Sequence, residues 1–231
     1  MAADSPSSPR EQSLQDVAQR KELLNTLTHG FGLLLSILAA IILIRTAQVR
    51  GDAWRVVGCG VFAAGLIAVY AASTLSHLVS HPRWKHWLRM LDQGLIYLLI
   101  AASYTPFALA YLRLGPWWVF LGVMWTGAIC GFISKVFFFH RINAVAVWSY
   151  VLLGWLPTVP ALLTLGTVPL PALGWLMAGG LCYTLGTVFL MLDLQRYHFH
   201  AIWHLWVIGG STCHFLGVLF FVAPMLTATP A

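Results

Sequence analysis

Charged residues are scarce in this chain. Only 9% of its 231 residues are Asp, Glu, Lys or Arg, whereas 59% are hydrophobic, and the mean hydropathy is +0.80. Average soluble domains carry about 25% charged residues. This composition excludes an ordinary soluble protein and predicts one that crosses a membrane several times. A spanning helix needs about 20 apolar residues, so seven helices would leave little chain for a soluble domain.

Cysteine is also sparse, and no pair of cysteines forms a CxxC motif. Each of the four lies inside an apolar run: Cys59, Cys130, Cys182 and Cys213. They are interpreted as small core hydrophobes, which excludes a disulfide framework and a thiolate metal site. The N-terminus lacks an apolar segment followed by a small-residue cleavage site, so we expect no cleaved signal peptide.

What is present is a series of apolar runs between polar ends. Residues 1–12 are polar and rich in Ser and Pro, which predicts a disordered tail. Residues 13–25 predict a short amphipathic helix on the membrane surface. Residues 26–223 predict an all-α membrane protein with a seven-transmembrane helix bundle, and 224–231 a C-terminal tail. The runs lie at about 26–46, 54–78, 90–112, 116–138, 143–165, 170–192 and 200–223. Short breaks between them favour antiparallel neighbours.

Lysine and arginine are unequally divided between the two ends of these helices. One side would hold nine, namely Arg10, Arg20, Lys21, Arg83, Lys85, Arg89, Lys135, Arg141 and Arg196. The other side would hold four, namely Arg45, Arg50, Arg55 and Arg113. The positive-inside rule therefore predicts a cytoplasmic N-terminus and, with seven spans, a C-terminus outside.

Ionisable residues within the apolar runs gather at one side of the predicted bundle. They are His29, His77, Asp92, His200 and His204, and all fall at the cytoplasmic ends of their helices. Because consecutive helices alternate direction, random placement would scatter such residues over both sides. Intramembrane ionisable residues are costly and indicate a functional site.

The spacing of these residues indicates a metal site. His200 and His204 are four residues apart and so share one helical face. With His77 they make a His₃ set, whose open fourth position is typical of catalytic zinc. Such a zinc lowers the pKa of its bound water to about 7, and Asp92 could hold that water or act as general base. A nitrogen-rich ligand set favours Zn²⁺ over calcium or magnesium.

Other histidines have simpler interpretations. A single buried histidine is more often a hydrogen-bonded core residue than a ligand, and His198 precedes the last helix. His214 lies ten residues beyond His204, which at 1.5 Å per residue is roughly 15 Å and too far for the same ion. We expect His214 to make an interhelical hydrogen bond.

Three motifs, read together, resemble a known family. They are "ELLNTLTHG", "STLSHLVSHPRWKHWLRMLDQGLIYLLIAASYTPF" and "HAIWHLWVIGGSTCHFLG". From about residue 20 onward the chain resembles the haemolysin III family, the bacterial branch of the progestin and adipoQ receptor superfamily. That resemblance implies a seven-helix bundle with zinc near the cytoplasmic side.

The resemblance also implies roles for individual residues. The zinc histidines of the adiponectin receptors correspond in position to His77, His200 and His204, and the aspartate associated with the zinc-bound water corresponds to Asp92. Ser73 matches the family serine four residues before the first ligand. The superfamily is related to alkaline ceramidases, which implies hydrolysis of lipid amides. The long N-terminal domain of the receptors is missing, so their soluble partners are not carried over.

Glu22, Asn25 and His29 form one stripe of the first helix. They are interpreted as partners that orient the ligating imidazoles or cap the cytoplasmic mouth. Ordinary packing of the entry helix is the alternative.

Four functions remain open on the sequence. The first is a zinc-dependent hydrolase of lipid amides or esters, in which Asp92 takes the proton and Ser73 donates a hydrogen bond to the oxyanion. The others are a receptor or sensor with structural zinc, a haemolysin-like pore, and a haem protein. We expect membrane lipids as partners, including an acyl-lipid substrate, with no nucleic acid and no soluble partner. The expected location is a bacterial inner membrane.

Overall fold

The computed structural model describes residues 8–113, 117–138, 144–163, 166–193 and 198–225. Helices make up nearly all the regular structure in these ranges. They run Pro9–Arg50 (α1), Ala53–Leu78 (α2), Pro82–Tyr111 (α3), Trp117–Ile133 (α4), Ala144–Trp155 (α5), Thr158–Leu163 (α6), Leu170–Met191 (α7) and Phe199–Phe221 (α8), and a π-helical turn, Ser134–Phe138, extends α4. Arg141, Arg196 and most residues of the predicted tails lie outside the described residues.

Six of the described helices are long and apolar enough to cross a membrane, namely α1, α2, α3, α4 with its π-helical turn, α7 and α8. The prediction of an all-α membrane protein is therefore confirmed. The prediction of one continuous fifth helix over 143–165 is wrong. There α5 ends at Trp155 and the short α6 begins at Thr158. Pro157 and Pro160 explain the interruption, because proline lacks an amide proton and clashes with the preceding helical turn.

The first helix is longer than the sequence predicted. Residues 13–25 are not a separate surface helix but part of α1, which continues without a break from Pro9. Proline is well suited to a first helical position, and no proline or glycine interrupts the helix before Gly30. At 1.5 Å per residue its 42 residues span roughly 63 Å, about twice the hydrocarbon thickness of a bilayer. Part of α1 must therefore extend beyond the apolar layer.

The third helix also begins earlier than predicted. It starts at Pro82 rather than near residue 90, after a connection of only Val79–His81. Proline at the first helical position again marks the start. Asp92 consequently lies about three turns into α3 rather than in its first turn.

Packing brings the polar helix ends together. Within the described residues, α1 packs against α2 and α8, α2 against α3, α3 against α4, and α7 against α8. A shared apolar core includes the nearly fully buried Leu43, Phe62, Tyr70, Phe107 and Val218. The end of the bundle where α2 finishes and α3 and α8 begin is called the site end below. The segment of α1 around Glu22 and His29 passes through it.

Candidate metal centre

Three histidines converge at the site end. His77 lies in the last turn of α2, and His200 and His204 lie in the first two turns of α8. Each offers one ligand atom, and these atoms all lie within 4.8 Å of one another. The ring centroids are 5.2 Å apart for His77 and His200, 5.4 Å for His77 and His204, and 4.6 Å for His200 and His204. The structure thus brings together the three ligands predicted from the sequence.

The Nδ1 atom of each of these rings faces a polar side chain outside the cluster. His77 Nδ1 lies 2.8 Å from Glu22 Oε2, His204 Nδ1 lies 2.9 Å from Thr28 Oγ1, and His200 Nδ1 lies 3.4 Å from Asp193 Oδ2. This leaves Nε2 of each ring for a metal ion. Histidine ligands usually engage a carboxylate or another polar group through the second nitrogen, which fixes their orientation. The donor set therefore fits a metal that prefers nitrogen ligands.

Glu22 is the centre of an ionic cluster that joins α1 to α2 and α3. Besides His77, its carboxylate contacts Lys85 Nζ at 2.9 Å and Arg89 Nη2 at 3.1 Å. These cations hold the carboxylate ionised beside His77. Glu22 is therefore fixed in position, as an acceptor for the Nδ1 proton of a ligating imidazole.

Asp193 plays a similar part beside His200. It lies between α7 and α8 and accepts a hydrogen bond from Lys21 Nζ at 2.9 Å. Partial burial acts to raise the pKa of Asp193, but the neighbouring His200 and Lys21 outweigh burial and lower the pKa to about 2. Asp193 is therefore anionic at neutral pH, and at 3.4 Å from His200 Nδ1 it acts on that ring through its charge rather than through a hydrogen bond.

Asp92 and Ser73 are directly connected. Ser73 is fully buried on α2, and its hydroxyl donates a hydrogen bond to Asp92 Oδ2 at 3.1 Å. Because Ser73 lies about one helical turn before His77 on α2, this bond holds Asp92 near the histidine cluster. The sequence suggested that Ser73 would face an oxyanion, whereas its proton is engaged with Asp92 here.

Asn25 and His29 lie on α1, the helix that contacts the histidine cluster through His29. Both are buried. The His29 ring stacks on His204, with centroids 3.5 Å apart, and meets Tyr70 edge-on at 5.1 Å. Among the described residues, neither the Asn25 side chain nor the two ring nitrogens of His29 have a hydrogen-bond partner. His29 therefore supports His204 through ring contact rather than through a hydrogen bond.

Comparison with known proteins agrees with this architecture. The model of the family described as "Haemolysin-III related" matches residues 17–215. The chain belongs to the haemolysin III family. It is 40% identical over 205 residues to "Hemolysin-3" of Bacillus cereus, covering 89% of this chain and 93% of the relative. It is 36% identical over 202 residues to the "Hemolysin-3 homolog" of Bacillus subtilis, covering 87% and 94%.

A human relative extends the relationship beyond bacteria. The chain is 32% identical over 197 residues to the human "Monocyte to macrophage differentiation factor", covering 79% of this chain and 76% of the relative. This match supports the resemblance to the progestin and adipoQ receptor superfamily. With its apolar helices, this haemolysin III family member is an integral membrane protein of the bacterial plasma membrane.

A cavity of about 430 Å³ lies inside the bundle. Asp92 lines it at the site end, and His214 lines it farther along α8. Its walls are otherwise largely apolar and include Val69, Leu99 and Trp203. A cavity of this size falls within the range of small-molecule sites in proteins. In this haemolysin III protein, the carboxylate of Asp92 therefore lies both near the histidine cluster and on the wall of an apolar cavity.

Two residues at the centre were not predicted from the sequence. Thr28 contacts His204, and Asp193 lies beside His200. Asp193 carried a weak signal, since it is one of only seven acidic residues and lies six residues before the start of α8, the helix that carries His200 and His204. Thr28 carried no such signal, because threonine is common in membrane helices. Its contact with His204 joins positions 176 residues apart in the sequence.

The remaining histidines of the last helix lie outside the cluster. His214 Nε2 lies 3.2 Å from the Leu176 carbonyl oxygen, so the expected hydrogen bond from α8 to α7 is present. His198 occupies the N-cap position of α8 and makes no capping hydrogen bond with its side chain. The group of residues placed to share one metal ion is restricted, within the described ranges, to His77, His200 and His204.

Proposed function

We propose that this protein is a zinc-dependent membrane hydrolase that cleaves lipid amides or esters. The observation that carries the proposal is the proximity of three groups: a histidine cluster that could hold a metal ion, a carboxylate held one helical turn from His77, and an apolar cavity that this carboxylate lines. A hydrolase of acyl lipids needs all three. A purely structural metal site would need neither the carboxylate nor the cavity.

The three imidazoles suit zinc best. Catalytic zinc sites commonly use three protein ligands and leave the fourth position open. His77, His200 and His204 would hold the ion through Nε2, with Glu22, Thr28 and Asp193 fixing the rings. Bound there, zinc would supply a Lewis acid for the substrate carbonyl and lower the pKa of water.

Asp92 is the general base in this proposal. Ser73 holds its Oδ2 atom, which leaves Oδ1 to take a proton from the attacking water. Ser73 therefore acts through Asp92 as a positioning residue. The acyl chain would lie in the cavity, and the polar head group would remain at the site end. Cleavage would add water across the carbonyl–nitrogen or carbonyl–oxygen bond and release a carboxylic acid with an amine or alcohol.

The proposal includes an orientation in the membrane. The excess of Lys and Arg, nine against four, supports a site end that faces the cytoplasm. The N-terminus would then be cytoplasmic and the C-terminus outside. Cleavage would release the head group on the cytoplasmic side.

The test combines metal content with turnover. We would purify the full chain in detergent, measure bound metals by mass spectrometry, and assay ceramides and other acyl lipids by product analysis. We expect about one zinc per chain and hydrolysis of at least one lipid class. Asp92→Asn should retain zinc and lose turnover. Zinc without turnover on any acyl lipid would contradict the hydrolase and favour a receptor or sensor with structural zinc.

Membrane lysis is a second candidate, because two bacterial relatives carry the name Hemolysin-3. It predicts that purified protein releases a fluorescent dye from liposomes at low protein-to-lipid ratio. Leakage that persists in His77→Ala would separate lysis from the metal centre. Leakage absent from the wild type would remove this candidate.

A further inference from the structure

Two buried polar atoms beside the cavity lack hydrogen-bond partners among the described residues. They are the hydroxyl of Tyr104, on α3, and Nδ1 of His214, on α8. Both side chains line the cavity, and their relative exposures are only 5% and 8%. A buried polar group left unpaired costs about 1–3 kcal/mol, so an occupant that pairs with them would bind more tightly.

Helical rise places both residues well into the bundle, away from the site end. Tyr104 is twelve residues beyond Asp92 along α3, which corresponds to roughly 18 Å. His214 is ten residues beyond His204 along α8, which corresponds to roughly 15 Å. Both helices start at the site end and run away from it. The polar pair therefore marks a level deep in the cavity, separated from Asp92 by apolar wall.

The hydrogen-bonding roles of the two atoms differ. His214 Nε2 faces the Leu176 carbonyl oxygen, which can only accept, so Nε2 carries the proton. In the neutral ring Nδ1 is then an acceptor. Tyr104 can donate its hydroxyl proton. A ligand hydroxyl is the simplest complement, because it accepts from Tyr104 and donates to His214, whereas a ketone can only accept.

We propose that the cavity binds acyl chains that carry a hydroxyl group about 15 Å from the carboxyl carbon, with Tyr104 and His214 as the residues that recognise this hydroxyl. The entry of the chain with its carboxyl end at Asp92 rests on the proposed function. The two unpaired atoms of Tyr104 and His214 are a feature of the cavity whether or not the protein is a hydrolase. A hydroxyl-free chain would bury both atoms unpaired, and an ordered water is the alternative occupant.

The test is competition binding with the full chain purified in detergent. A dansyl-labelled fatty acid is the reporter, and the competitors are stearic acid, a ketostearic acid and a positional series of hydroxystearic acids. We expect the best hydroxystearic acid to bind about tenfold more tightly than stearic acid, as one or two hydrogen bonds allow. The ketostearic acid should fall between them.

Two variants and a matched control test whether Tyr104 and His214 cause the preference for hydroxylated chains. Tyr104→Phe removes one oxygen and should reduce the hydroxyl preference to about threefold or less, and His214→Phe should do the same if thermal melting shows that it folds. Tyr97→Phe is the control, since this α3 hydroxyl already bonds Ser149 and does not line the cavity. It should retain the full preference.

Several outcomes would overturn the proposal. These are equal binding of stearic and hydroxystearic acids, an unchanged preference in Tyr104→Phe, or no displacement of the reporter by any chain. Equal binding would indicate that water occupies the polar pair. Failure of the hydrolase is separately visible, because it would appear as absent turnover with the binding preference intact.

Discussion

The ring of His29 stacks on the ring of His204, with centroids 3.5 Å apart and planes inclined by 24°. His204 is thereby held on one face by α1 and at its Nδ1 atom by Thr28 of the same helix. The first helix thus contributes to the metal centre although it supplies none of the three predicted ligands. Glu22, on the same helix, contacts His77 Nδ1.

The stack predicts a graded effect of changes at His29. His29→Phe keeps an aromatic ring against His204 and should bind metal nearly as tightly as the wild type. His29→Ala removes the ring contact, which is worth about 0.5–1.5 kcal/mol, and should weaken metal affinity by up to about tenfold. Competition with a chromogenic chelator measures both. Equal loss in the two variants would show that the nitrogens of His29, rather than its ring, matter.

Glu22 is expected to tune metal affinity through His77. Glu22→Gln keeps the shape of the side chain and removes its charge, and partners of this kind typically contribute about 10–100-fold to metal affinity. The same chelator competition should show a loss in that range. Asp16→Asn is the matched control, because Asp16 is an exposed carboxylate on the same helix. A Glu22→Gln protein that binds metal like the control would contradict this role.

Gly179 on α7 leaves space for the ring of His214. A Cβ at Gly179 would collide with the His214 ring, whereas a Cβ at Gly174 would meet nothing within 4 Å. Gly179→Ala should therefore lower stability by about 1–3 kcal/mol, as expected for overpacking, and Gly174→Ala should change it little. Thermal melting in detergent compares the two. The double variant Gly179→Ala/His214→Ala should recover part of the loss, and additive destabilisation would disprove the steric cause.

Lys21 and Asp193 connect α1 to the segment before α8. Their side chains are partly exposed, at 31% and 21%, so the ion pair should contribute at most about 1 kcal/mol to stability. A double-mutant cycle with Lys21→Met and Asp193→Asn measures the coupling. We expect Asp193→Asn to reduce metal affinity more than Lys21→Met does, because only Asp193 faces His200. The reverse order would place the pair outside the metal centre.

The histidine cluster could be predicted from the sequence because its geometry is largely local. His200 and His204 share a helical face by spacing alone. His77 joins them because α2 ends where α8 begins, and that follows from counting apolar runs. The alternating direction of consecutive helices therefore predicts which helix ends lie on the same side of the bundle.

Other features depend on contacts or local chemistry that the apolar pattern does not record. The run over 143–165 is apolar throughout, so its hydropathy hides the break at Pro157. The contact of Thr28 with His204 depends on how α1 packs against α8, which no local signal encodes. The cavity likewise arises from the fit of several helices. Long-range packing therefore explains most of what the sequence did not predict.

The most direct test of this account is the metal content of the purified chain, measured by mass spectrometry for the wild type, His204→Ala and His81→Ala. His81 is an exposed histidine that precedes α3 and makes no capping hydrogen bond with its side chain, so it is the control. We predict about one zinc per chain in the wild type and in His81→Ala, and almost none in His204→Ala. Equal zinc in all three proteins, or a zinc-free wild type purified without chelator, would contradict a metal centre at His77, His200 and His204.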